Sequence, residues 1–129
     1  MDAASLANVL ASRFQAVVPA GFHVEAEREM LWFSVDKAVG YLGGSAGTYA
    51  IRDFLRKVEA PFDWRVAMAA ESALNDLQDF VDEESTEPRP GEHTPRVAHA
   101  VVREGQLYVW FGDERSEDLA LLPVDLGTD

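Results

Sequence analysis

The sequence predicts a single α+β domain over residues 1–129, in which a largely antiparallel sheet of about five strands carries its helices on one face. Three observations predict this fold class. The expected strands come in pairs joined by short turns, as in hairpins, and do not alternate with helices. Each longer helix has one apolar stripe. The length is that of one ordinary domain, and 47% of the residues are hydrophobic, which is enough for a core.

The first third of the chain predicts a helix followed by a hairpin. Apolar residues recur at helical spacing over residues 2–18, and a proline and a glycine follow. Phe22–Glu27 alternates between apolar and polar residues, which is typical of a half-buried strand. Met30–Val35 follows at once and completes the hairpin, although Arg28-Glu29 is a poor turn sequence.

The middle of the chain predicts a loop and two helices. Gly40–Gly47 contains four glycines and is expected to be a loop. The next helix is short and is the only locally basic element, with Arg52, Arg56 and Lys57. The strongest helix runs from about Asp63 to Glu84. We expect the stripe of this helix to be buried against the sheet, and it contains Val66, Ala70, Leu74, Leu77 and Val81.

The last third predicts the remaining strands. A loop rich in proline occupies Ser85–Pro95. Strands over Val97–Arg103 and Gln106–Phe111 then form a second hairpin around a Glu-Gly turn. An acidic loop follows over Asp113–Asp118, and Leu119–Val124 is expected to be the last strand. Its proline indicates either an edge strand or a position near the end of the strand.

The composition disfavours several classes of function. The formal net charge is −12, and such a field repels nucleic-acid backbones and anionic membrane surfaces while it attracts basic partners. The chain has no cysteine, which excludes disulfides, thiolate zinc sites and cysteine nucleophiles. Arg13 interrupts the best candidate for a signal peptide, and no apolar stretch approaches the ~20 residues that span a bilayer. We therefore expect a cytoplasmic protein that binds neither nucleic acid nor membranes.

One short motif points to nucleophilic catalysis. Gly43–Gly47 matches the G-x-S-x-G nucleophile elbow, with Ser45 as the nucleophile and His93 or His99 as the base. The elbow belongs on a parallel sheet of a larger domain, and nothing upstream resembles an oxyanion loop. The glycines are not followed by the lysine of a P-loop. A small serine hydrolase is therefore the alternative function, and a glycine loop is the default.

Two groups of residues have metal-binding chemistry without metal-binding spacing. Glu92, His93 and His99 offer oxygen and nitrogen ligands, but no H-E-x-x-H or facial-triad spacing exists. The acidic loop lacks the glycine and the ligand alternation of a calcium loop; its acids are Asp113, Glu114, Glu117 and Asp118. We expect no metal and no other cofactor. We also expect the acidic side of the long helix to be exposed to solvent and bare of metal.

Aromatic residues supply the strongest candidate for a binding site. Tyr108 and Trp110 share one face of their strand, opposite Leu107, Val109 and Phe111. If the latter three residues face the core, the former two point outward, and Trp32 is expected to do the same on the first hairpin. An exposed aromatic sheet face is typical of a partner surface. The competing interpretation is that helices cover both faces of the sheet.

Two resemblances accompany these patterns. The stretch LNDLQDFVDEESTEPRPG, from Leu74 to Gly91, resembles uncharacterised small acidic proteins of actinobacteria, and this similarity covers the last half of the chain. It implies no activity. The order helix, hairpin, helix, hairpin is similar to that of type III secretion chaperones, which are small, acidic and usually dimeric. That resemblance implies a protein-binding role.

The sequence as a whole predicts a non-enzymatic interaction domain of the chaperone, adaptor or immunity type. It would hold a protein partner on an acidic surface, which favours a basic one, and on the aromatic face that carries Trp32, Tyr108 and Trp110. A large bare aromatic patch is rare on a monomer. The side of the sheet with Tyr108 and Trp110 therefore also predicts a two-fold homodimer.

Overall fold

The computed structural model describes residues 1–36, 44–84, 97–111 and 120–127, and there it contains three helices and six strands. The helices are α1 (Ala3–Gln15), α2 (Ala50–Leu55) and α3 (Phe62–Glu84). The strands are β1 (Phe22–Glu27), β2 (Met30–Val35), β3 (Ser45–Thr48), β4 (Ala98–Arg103), β5 (Gln106–Phe111) and β6 (Val124–Asp125). The predicted α+β class is confirmed.

The strands form two sheets, so the prediction of one sheet of about five strands was wrong. Both sheets are antiparallel and three-stranded, in the orders β1-β2-β3 and β4-β5-β6. Both predicted hairpins are present, one in each sheet. The predicted last strand begins later than expected, because Ala120 makes only a single bridge to Trp110 and β6 is limited to Val124–Asp125.

Strand β3 begins within the segment that was predicted to be a loop and ends one residue beyond it, at Thr48. It pairs with β2, with Gly47 opposite Trp32. A Cβ atom at Gly47 would collide with the ends of the Met30 and Trp32 side chains. Glycine is disfavoured in strands on average. At position 47, however, the absence of a side chain leaves space for the side chains of Met30 and Trp32 on the central strand. This long-range packing overrides the loop propensity of the segment.

Helix α1 is fixed at both ends by side-chain hydrogen bonds. Asp2 is the N-cap and accepts from the backbone N–H of Ser5 at 2.8 Å, and this bond lowers the pKa of the Asp2 carboxyl. At the other end, the Gln15 amide donates to the Phe22 carbonyl at 3.1 Å and accepts from the Val24 N–H at 2.7 Å. The side-chain amide of Gln15 therefore makes the two hydrogen bonds that a neighbouring strand would make to Phe22 and Val24 of β1.

Helix α3 connects the two sheets through one core. All five predicted stripe residues are buried, at 7% exposure or less, which confirms the prediction. Toward the first sheet, the Phe80 ring lies 6.0 Å from the rings of both Phe22 and Phe33. The acidic side of the helix is exposed, as predicted, at Asp76, Asp79, Asp82 and Glu83.

Toward the second sheet, α3 closes the outer edge of β4. Oδ1 of Asn75 accepts from the backbone N–H of Ala98, and Oε2 of Glu71 accepts from that of Ala100, both at 3.2 Å. Backbone groups along an open strand edge otherwise pair with other chains. These two N–H groups are already bonded, so this part of β4 does not offer an edge to another strand.

Candidate interaction surface

The outer face of the second sheet carries a continuous row of aromatic and apolar side chains. Along β5, Leu107 and Val109 are buried at 0% and 4% exposure, while Tyr108 between them is 37% exposed. This alternation confirms that the aliphatic residues face the core and that Tyr108 faces outward. Trp110 lies on the same side as Tyr108 and is half-buried.

Cross-strand contacts make this face a defined surface. His99 is paired with Trp110 across β4 and β5, and their rings stack with centroids 5.6 Å apart and an interplanar angle of 28°. Val101 is paired with Tyr108 in the same way and is half-buried. We name His99, Val101, Tyr108 and Trp110 the aromatic stripe. Because stacked rings hold each other in place, the stripe is preorganised for binding.

Polar residues border the stripe at the hairpin end of β5. Arg103, Gln106 and Asp125 lie side by side across the three strands and are exposed. Gln106 also accepts a hydrogen bond from the Tyr108 hydroxyl at 3.2 Å, so the ring of Tyr108 is tethered at its polar tip. An apolar centre with a polar border is the usual anatomy of a protein interface.

Trp32 does not belong to this surface, although the sequence grouped it with Tyr108 and Trp110. It lies on the central strand of the first sheet, between Glu25 and Gly47, and is 37% exposed. The alternation along a strand correctly predicted that Trp32 faces outward. Alternation could not show which sheet the strand would join. In the structure the three candidates lie on two separate sheets.

Ser45 has a different setting from the nucleophile of an elbow. It lies in the antiparallel ladder of β3, opposite Ser34, which in turn lies opposite His23. His23 contacts the carboxylate of Asp36 at 3.1 Å, with side chains 48% and 59% exposed. The backbones of Ser45 and His23 are two strand spacings apart, about 10 Å, and the partner of the His23 ring is Asp36. An elbow also requires a sharp turn from strand to helix at the serine.

Of the candidate bases and metal ligands that the sequence offered, only His99 lies within the described residues. His99 lies in the second sheet and stacks on Trp110. Glu92, His93 and the four acids Asp113, Glu114, Glu117 and Asp118 lie outside the described residues. Among residues 1–36, 44–84, 97–111 and 120–127, no group of three or more histidine, aspartate or glutamate side chains has the geometry to hold a metal ion.

Sequence reasoning did not find a cleft between the turn of the first hairpin and α2. The cleft measures about 530 Å³ and is lined by Glu27, Arg28, Glu29, Met30, Tyr49, Arg52 and Arg56. Two features of the sequence pointed to these segments. One was Arg28-Glu29, which is an unexpected turn sequence. The other was the concentration of arginines in α2, but only the fold brings the two segments together.

Comparison of the chain with family models, with curated proteins and with solved structures finds no match. The resemblances to actinobacterial proteins and to type III secretion chaperones therefore stay predictions. Among the described helices, none has both the length and the hydropathy to cross a membrane.

Proposed function

We propose that this protein is a non-enzymatic protein-interaction domain, of the chaperone, adaptor or immunity type, which holds a basic protein segment on the aromatic stripe. The observation that carries the proposal is the exposure of Tyr108 between two buried neighbours, on a face where Trp110 and His99 stack. Large, rigid and amphipathic side chains bind protein surfaces at low cost in conformational entropy.

The charge of the chain supports a basic partner. The net charge is −12, and α3, which packs along β4, exposes Asp76, Asp79, Asp82 and Glu83. Two copies of so acidic a chain repel each other, whereas a basic segment is attracted and steered to the surface. Complementary charge therefore favours a basic segment over a second copy of the chain as the occupant of the stripe.

The hydrogen bonds of β4 support binding on the face of the sheet and not along its edge. Asn75 and Glu71 already bond the N–H groups of Ala98 and Ala100, so a partner cannot add as a new strand at these positions. At this part of the sheet a partner would instead contact the outer face, through the side chains of Val101, Tyr108 and Trp110. The partner would place apolar side chains on the stripe, and its basic side chains would be attracted by the net charge of −12.

Selection from a displayed library of random peptides tests the proposal, with the wild-type protein as bait. We expect the enriched peptides to combine lysine or arginine with an apolar anchor. Their binding should be lost in the Tyr108→Ser and Trp110→Ser variants and should weaken as salt is raised. Trp32→Ser is the matched control, because Trp32 and Tyr108 are equally exposed at 37%. Enrichment of acidic peptides, or binding lost in Trp32→Ser alone, would overturn the proposal.

A further inference from the structure

The cleft beside α2 brings three guanidinium groups together in a chain of charge −12. Arg28 comes from the turn of the first hairpin, and Arg52 and Arg56 come from α2 and its C-cap. Residues four apart on a helix lie on the same side, so Arg52 and Arg56 face the cleft together. Two acids, Glu27 and Glu29, also line it. The lining therefore carries three guanidinium groups against two carboxylates, and Arg52 has a third acid, Asp53, as its partner.

Arg28 has an unfavourable backbone conformation. Its φ angle is 59°, in a region that L-residues other than asparagine and aspartate rarely adopt. Glycine or asparagine is the usual residue at such a turn position. Glu104, at the equivalent position of the second hairpin, has a similar φ of 52°, but there the next residue is Gly105, whereas Arg28 is followed by Glu29. Both hairpins therefore tolerate a residue with a positive φ at this position, and what distinguishes Arg28 is its place in the lining of the cleft.

The other two arginines already have partners within the protein. The Arg52 guanidinium lies 4.2 Å from the centre of the Tyr49 ring and pairs with Asp53 at 3.0 Å. Arg56 has a long ion pair of 3.7 Å to Glu29, with side chains 69% and 43% exposed. Exposed pairs contribute little to stability. Arg56 can therefore exchange Glu29 for a stronger anion without a large cost.

We propose that this cleft binds a small phosphate monoester. Arginine forks bond phosphate oxygens in pairs and carry a permanent positive charge. Met30 and the Tyr49 ring, which is 49% exposed, offer an apolar surface for the organic part of the ligand. A cleft of about 530 Å³ has the size of small-molecule sites. The proposal uses no residue of the aromatic stripe and holds whether or not the stripe binds a protein.

Titration with phenyl phosphate at constant ionic strength, followed by nuclear magnetic resonance, tests this site. We expect shifts at Arg28, Arg52 and Tyr49, and weaker binding of inorganic phosphate, which lacks the organic part. Arg52→Gln and Arg56→Gln should each raise the dissociation constant about tenfold, as expected for one lost charge-assisted contact. Arg103→Gln, a change in the second sheet, is the matched control and should leave the dissociation constant unchanged.

The Arg28→Gly variant separates a binding role from a structural one. Glycine accepts a positive φ without strain, so the melting temperature should stay the same or rise while phenyl phosphate binds more weakly. A lower melting temperature with unchanged binding would overturn the proposed role of Arg28. Equal loss of binding in the Arg103→Gln control, or shifts spread over all exposed arginines, would show a diffuse counter-ion effect and would overturn the site.

Discussion

The hydroxyl group of Thr48 donates a hydrogen bond of 2.6 Å to the carboxylate of Asp76 and so joins β3 to α3. The same oxygen accepts from the backbone N–H of Ala50, the first residue of α2, at 3.2 Å. Thr48 is 7% exposed. One buried side chain therefore positions the edge strand of the first sheet against two helices.

We expect the Thr48→Val substitution, which keeps the shape and removes the hydroxyl, to lower the free energy of unfolding by about 1–3 kcal/mol. The loss arises because the bond to Asp76 disappears and the Ala50 N–H is left without its acceptor. Thr48→Ser retains the hydroxyl and is the control. Denaturant unfolding measures both variants, and a Thr48→Val protein as stable as the wild type would contradict this account of the junction.

The buried stripe of α3 predicts large losses of stability on truncation. Leu74→Ala and Leu77→Ala should each cost about 2–5 kcal/mol, because each leaves a cavity in the shared core. Leu74 and Leu77 are 0% and 3% exposed, whereas Val58 is 76% exposed. Val58→Ala is therefore the matched control and should change stability by less than about 0.5 kcal/mol. Wild-type melting temperatures in both leucine variants would show that the stripe is not packed.

The local periodicity of the sequence explains which parts of the fold could be predicted. The hairpins and the stripe of α3 follow from patterns with periods of two and 3.6 residues. The division into two sheets depends on contacts between distant segments, such as Phe80 of α3 with Phe33 of β2. Strand β3 was missed because its glycine has no strand propensity of its own. Gly47 contributes space for Met30 and Trp32.

For the candidate surface, too, local patterns predicted some features and tertiary structure set the others. Alternation along β5 correctly predicted that Tyr108 is exposed and that Leu107 is buried. It also predicted the outward direction of Trp32, but the sheet to which Trp32 belongs is set by tertiary structure. The cleft with Arg28 and Arg52 joins a hairpin turn to a helix that begins about twenty residues later, and no local pattern indicates such a contact.

The oligomeric state separates the two possible occupants of the aromatic stripe. The sequence predicts a homodimer through Tyr108 and Trp110, whereas the charge of −12 favours a basic partner. If a basic segment is the occupant, light scattering at micromolar concentration and ~0.15 M salt should give the monomer mass, although exposed charges are already well screened there. A dimer that dissociates in the Trp110→Ala variant would instead show that a second copy covers the stripe.

The most direct measurement of the central claim uses the three tryptophans of the chain. Trp110 lies in the stripe, Trp32 lies on the other sheet, and Trp64 is 45% exposed at the start of α3. Their indole N–H resonances can be assigned by single substitution and followed while a selected basic peptide is added. The account predicts that the Trp110 signal shifts and saturates while those of Trp32 and Trp64 stay in place. A saturating shift of Trp32 or Trp64 with an unchanged Trp110 signal would contradict it.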